Sequence, residues 1–137
     1  MNNTEFPAYM NILANSHDLL ISHILQKKGL LNKDKITFGT KITKFGSLLN
    51  SLNLPFEKNQ LIQSLRKFNN YWNIVKHSAM VGNAPFCYFK GGVITEFDEN
   101  LRKSIDSEFT ENQIKIMKIN SIIQSNLERV GANSHQN

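Results

Sequence analysis

The chain has 137 residues, 40% of them hydrophobic and 20% charged, the proportions of a globular domain with one core. Its net charge of +5 is uneven: residues 1–90 hold eleven Lys/Arg against four Asp/Glu, and residues 91–137 hold five against seven. No apolar run approaches the ~18–20 residues of a membrane span, the start MNNTEFPAYMN lacks a basic-then-apolar signal, and the sole cysteine, Cys87, excludes an intrachain disulfide and a cysteine-based metal cage. A single domain in the reducing cytoplasm is expected, with an ordered core over residues 6–130. The basic part is densest between residues 27 and 44. It suits a polyanion such as RNA on one side, although a solvated lysine-rich surface is the commoner use of such a stretch.

The first helix is expected over residues 7–28, with Pro7 in its first turn and Gly29 just past its end. Tyr9, Leu13, Leu20 and Ile24 form its buried stripe. His17 falls on that stripe and reads as a core-edge histidine with a local hydrogen bond rather than a catalytic one. GLLNKDK is a loop. A second helix is expected over residues 38–52, burying Phe38, Ile42, Phe45, Leu49 and Leu52. Gly39 and Gly46 within it point to close helix contact or a frayed start. Pro55, in NSLNLPFEKN, stops this helix from running on.

Residues 61–77, LIQSLRKFNNYWNIVKH, form the most informative stretch. Leu61, Leu65, Phe68, Trp72, Val75 and Ala79 recur at spacings of three and four, so this helix is expected to reach Met80. Arg66, Asn70, Asn73 and His77 recur the same way on a second, polar face. VGNAP ends the helix. FCYFKGGVITEF then turns aromatic and β-branched, split by Gly91-Gly92, and is expected to form a short β-hairpin or extended arm near residues 86–97. A short helix from Asp98 or Asn100 buries Leu101 and Ile105. The capping-box pattern TENQ at residues 110–113 starts a last helix to Val130, lined by Ile116, Ile119, Ile123 and Leu127. A polar, disordered tail is expected over residues 131–137. The predicted fold is all-α, an antiparallel four- or five-helix bundle with the arm inserted.

No phosphate-binding glycine loop, dinucleotide fingerprint, HExxH, GxSxG or kinase motif is present. His17 and His23 are six apart, the wrong spacing for two ligands on one helix face, so no metal and no other cofactor is expected. The polar face of the third helix remains. Asn73 and His77 are one turn apart. An imidazole titrates near neutral pH and can exchange a proton with a ribose 2′-hydroxyl or a leaving 5′-oxygen. The asparagine can orient the ring or hold a phosphate oxygen. Lys76 is adjacent. Arg66 lies about 16 Å away along the axis, too far to serve the same His77 except through a second, antiparallel copy. The same stripe also suits the solvated face of an amphipathic helix.

WNIVKH resembles the RNxxxH element of HEPN domains (the higher-eukaryote and prokaryote nucleotide-binding helical family). Asn73 falls on the motif's polar residue and His77 on its histidine. ITFGTKITKF is similar to the FG-containing helix that precedes the motif helix in many members, and the element order matches over residues 6–130. The resemblance implies a helical bundle that dimerises through the helix of residues 61–77. It also implies metal-independent RNA cleavage of the kind found in toxin–antitoxin and phage-defence systems, with an antitoxin or other protein partner. His77 and Asn73 are then the catalytic candidates, and Arg66, Asn70 and Lys76 the substrate-binding ones. The chain departs from the family at the motif arginine, where it has Trp72. That leaves three outcomes open: an endoribonuclease using Lys76 or Arg66 as its cation across a dimer, a protein that has lost cleavage and kept RNA binding, or a catalytically inactive dimeric adaptor whose arm docks a protein.

Overall fold

The computed structural model describes residues 5–31 and 35–135. Four helices and one small sheet follow in the order α1 (Glu5–Lys27), α2 (Phe38–Leu49), α3 (Lys58–His77), β1 (Ala79–Met80), β2 (Cys87–Lys90), β3 (Val93–Glu96) and α4 (Glu99–His135). Residues 32–34 of the basic stretch and residues 136–137 of the expected tail lie outside the described residues.

Several helix ends have a local cause. After α1, Leu30 N–H donates to Leu25 O and Gly29 N–H to Gln26 O, with Gly29 at φ +67°. That is a Schellman stop, which needs a residue at ease in the left-handed region. Thr37 caps α2, its Oγ1 accepting from Thr40 N–H. The helix ends at Leu49, three residues earlier than expected, and Leu52, Leu54 and Phe56 fold back onto the core. Asp98 Oδ1 accepts Leu101 N–H at 2.8 Å and begins α4.

Four expectations are corrected. α3 stops at His77 because Ser78 is extended, and Ala79 and Met80 pair with Phe89 and Tyr88 instead of continuing the helix. The hairpin is therefore the larger part of a three-stranded antiparallel sheet, ordered β1-β2-β3. Its two-residue turn is Gly91-Gly92, both at positive φ, matching the twist of the flanking strands. Residues 99–130 lie in one helix, not two. The TENQ pattern lies inside α4, where Asn112 and Gln113 bond to other helices rather than capping their own. The helix also runs on through residues 131–135, since extending a formed helix adds a bond for each residue ordered.

The helices do not alternate up and down. Tyr9 meets Asp106, His17 meets Gln113, and Lys27 meets Asn120 and Gln124, so α1 and α4 run parallel. Gly39 faces Asn69, Thr43 meets Arg66, and Gly46 faces Ile62, so α2 and α3 run antiparallel. Lys67 with Glu108 and Ser64 with Asn112 set α3 against α4. Thus α3 opposes the other three helices.

Two apolar clusters hold the fold. Ile21, Ile24, Leu25, Ile42, Phe45, Leu61, Leu65, Ile116 and Ile119 form the first. Phe6, Met10, Phe68, Val75, Tyr88, Phe97 and Ile105 are central to the second, with Trp72 half-buried against it. Phe97 anchors the sheet there. Its ring centroid lies 5.2 Å from Phe6, 5.6 Å from Tyr71 and 5.8 Å from Tyr88. On the sheet's outer face Ala79, Phe89 and Ile94 stand side by side and exposed.

Candidate functional site

The antiparallel pairing of α2 and α3 brings the first turn of α2 beside the last turns of α3. There Thr37, Phe38 and Gly39 face Asn69, Asn73, Lys76 and His77 across an open cavity of about 260 Å³. His77 and Lys76 are exposed, and Asn73 is half-buried one turn below. Among the described residues the side chains of Asn73 and His77 are engaged by no hydrogen bond, so their polar atoms are available to a ligand. No carboxylate lines the cavity.

The remaining candidates divide. Lys76 Nζ sits 5.4 Å over the ring of Trp72. Such a contact at an exposed site is worth ~0.5–1 kcal/mol, a small cost to release. Arg66 does not join His77. Its Nη2 donates to Thr43 Oγ1 at 3.1 Å, and it lines a second cavity of about 340 Å³ with Gly46, Asn50, Lys58, Asn59 and Gln63. Asn70 is exposed and lines neither cavity.

Sequence reasoning missed Asn69 and the role of Gly39. A Cβ on Gly39 would lie 3.3 Å from Asn69 Nδ2, so the missing side chain leaves room for that amide in the groove. The signal was present: Asn69, Asn73 and His77 are spaced by four, as one helical face requires. The partner helix that selects this face is set by tertiary packing.

A second polar cluster sits inside the molecule. His17 is fully buried between α1, α3 and α4. Its Nδ1 donates to Gln113 Oε1 at 2.8 Å, which leaves Nε2 with no partner. Burial pulls its pKa down to about 4, partly offset by the Gln113 bond. Nearby, Asn112 donates to Ser64, Ser64 to Glu108, and Lys67 pairs with Glu108 at 2.7 Å. The cavity against His17 measures about 20 Å³. The expectation of a core histidine held by a hydrogen bond agrees with this geometry, although the partner is 96 residues away rather than local.

Among the described residues no three His, Cys, Asp or Glu gather as metal ligands, and no helix is long and apolar enough to cross a membrane. No family model, no curated protein and no solved structure matches this chain.

Proposed function

We propose that this chain is a HEPN-like RNA-binding protein that cleaves RNA without a metal, as members of toxin–antitoxin and phage-defence systems do in the cytoplasm. The observation that carries the reading is the open groove in which Asn73, Lys76 and His77 stand together with no acid among its lining residues. A phosphate meets a lysine cation and amides there and no repelling charge.

In this reading the His77 imidazole takes the proton of a ribose 2′-hydroxyl. The 2′-oxygen then attacks phosphorus, and the bond to the 5′-oxygen breaks with that oxygen receiving a proton, leaving a 2′,3′-cyclic phosphate and a 5′-hydroxyl. Asn73 holds a phosphate oxygen. Lys76, swung off Trp72, neutralises charge on the phosphorane. One histidine cannot give and take protons in the same step. A twofold dimer in which the ends of the two α3 helices meet supplies the second.

The test compares wild type with His77→Ala in EDTA on a labelled RNA, with light scattering for oligomeric state and circular dichroism for the fold. Expected is cleavage by a dimeric wild type, reduced ~100-fold or more in a folded variant. Equal cleavage by both proteins rejects His77 as the catalytic group.

The alternative is a catalytically inactive dimeric adaptor. Two observations favour it: Trp72 occupies the motif's arginine position, and Arg66 is held by Thr43 far from His77. The exposed row Ala79, Phe89 and Ile94 is then where a protein partner docks. RNA binding without cleavage, unaffected by His77→Ala, supports this second reading.

A further inference from the structure

We infer that the RNA site is not confined to the His77 cavity, but continues as a single-strand track along the whole outer seam between α2 and α3. The inference rests on the RNA-binding reading above and extends it to the form of the substrate and the length bound. Two cavities lie in series on this seam. The His77 cavity ends at Gly39 and Asn69, and the second begins at Thr43 and Arg66, one turn further along both helices. It continues past Gly46 and Gln63 to Asn50, Lys58 and Asn59.

Charge along this seam favours an anion. Neither cavity has a carboxylate in its lining. Between residues 36 and 77 the sole acid is Glu57, beside Lys58 at the far end. Four other described lysines are paired with acids: Lys41 with Asp18, Lys67 with Glu108, Lys103 with Glu99 and Lys115 with Glu111. Along the seam Lys58 and Lys76 have no acidic partner, and Arg66 spends one N–H on a neutral hydroxyl. Its other donors remain for a phosphate.

Shape and length select the ligand. Lys58 and His77 are nineteen residues apart on one helix, about 28 Å at 1.5 Å per residue. That span suits roughly five nucleotides, within the ~4–16 of known single-strand sites. A furrow between two packed helices admits one strand and excludes a duplex. Its lining is amide-rich: Asn50, Asn59, Gln63, Asn69 and Asn73. Amides pair donor and acceptor on one edge and so bond base edges, which single strands leave open. In the dimer proposed above, the two tracks join end to end at the His77 pair.

The experiment uses the full chain and fluorescence anisotropy with labelled oligouridylates of three and eight nucleotides, a DNA octamer and an RNA duplex, from 50 to 300 mM salt. The variants are Lys58→Gln with Arg66→Gln, and Ser47→Glu, an exposed residue of the second cavity. Lys118→Gln, exposed on α4, is the control. Expected is tighter binding of the RNA octamer than of the trimer. The double variant lowers octamer affinity ~10-fold or more and the salt slope by about 1.4, two charges at ~0.7 each for a single strand. Ser47→Glu weakens the octamer as well, while trimer binding is unchanged in both and Lys118→Gln behaves as wild type. Octamer binding unmoved by the double variant and by Ser47→Glu overturns the track and leaves the His77 site standing. Duplex bound as tightly as the octamer overturns the single-strand form, and equal DNA binding overturns selection of RNA. Absence of binding to every probe overturns the RNA-binding reading and the track with it.

Discussion

His17 shows how one residue type meets opposite environments in one chain. Sealed between Phe68 and Phe109, its ring stays neutral because no water solvates a charge there. His77, at the open end of α3, is exposed, and among the described residues its side chain makes no hydrogen bond. The buried histidine makes stability depend on pH. Its pKa of about 4 in the folded state lies below the unfolded 6.5, so the unfolded chain binds the proton first. The contribution is intact above pH 6.5, shrinks as pH falls, and is fully lost below about pH 4. At 1.36 kcal/mol per unit this amounts to ~3 kcal/mol. Urea unfolding of wild type and His17→Phe between pH 7.5 and 4 reads it. Wild type should lose ~3 kcal/mol more than the variant, beyond any carboxylate effects the two share. Parallel loss in both would show that His17 is not the group responsible.

Among the elements, α2 is the most adjustable. Gly39 and Gly46 both weaken it, but for different reasons. Gly39 leaves space for Asn69 in the groove. Gly46 does not need to be glycine: an added Cβ would meet Ile62 at 3.6–3.8 Å, ordinary van der Waals contact. Gly46→Ala should therefore stabilise the protein by ~0.5–1 kcal/mol through helix propensity, read as a raised urea midpoint at unchanged slope. Close helix contact as the explanation for both glycines thus holds at Gly39 alone. The stripes on α3 and α4 were legible because Leu61, Leu65 and Phe68, and Ile116, Ile119 and Ile123, keep strict helical spacing on buried faces. The break expected at Thr110 was not real. A capping box is a local preference worth ~1 kcal/mol. Here Asn112 and Gln113 have tertiary partners in Ser64 and His17, which keep the backbone helical.

For the molecule as a whole, the sheet is the most precarious component. Its strands have two or four residues, too few to stand alone in water. Tyr88 and Phe97 fasten it to Phe6 and Tyr71 over the second cluster. Phe97→Ala should cost ~3–5 kcal/mol, from the lost burial and the cavity left behind. Hydrogen exchange should show Cys87–Lys90 and Val93–Glu96 losing protection before α1 and α4 do. Uniform loss across the chain would mean that the sheet is no separate unit. The base of α3, where His77 sits, borders this sheet through β1, so loosening it should also disturb the candidate site.

Apolar spacing, glycine and proline breaks and the polar stripe of α3 were sufficient to predict a mainly helical domain, a hairpin turning at Gly91-Gly92, and Asn73 with His77 on one face. These are short-range properties, set by the 3.6-residue turn and by backbone freedom. Tertiary packing decided the rest. It set α1 parallel to α4, extended α4 past Thr110 and drew Ala79 and Met80 into a strand. It brought Asn69 beside Gly39 and gave Arg66 a second cavity against α2. Each of these depends on which surfaces bury together and on which distant groups satisfy buried donors and acceptors, energies that a local sequence pattern does not contain.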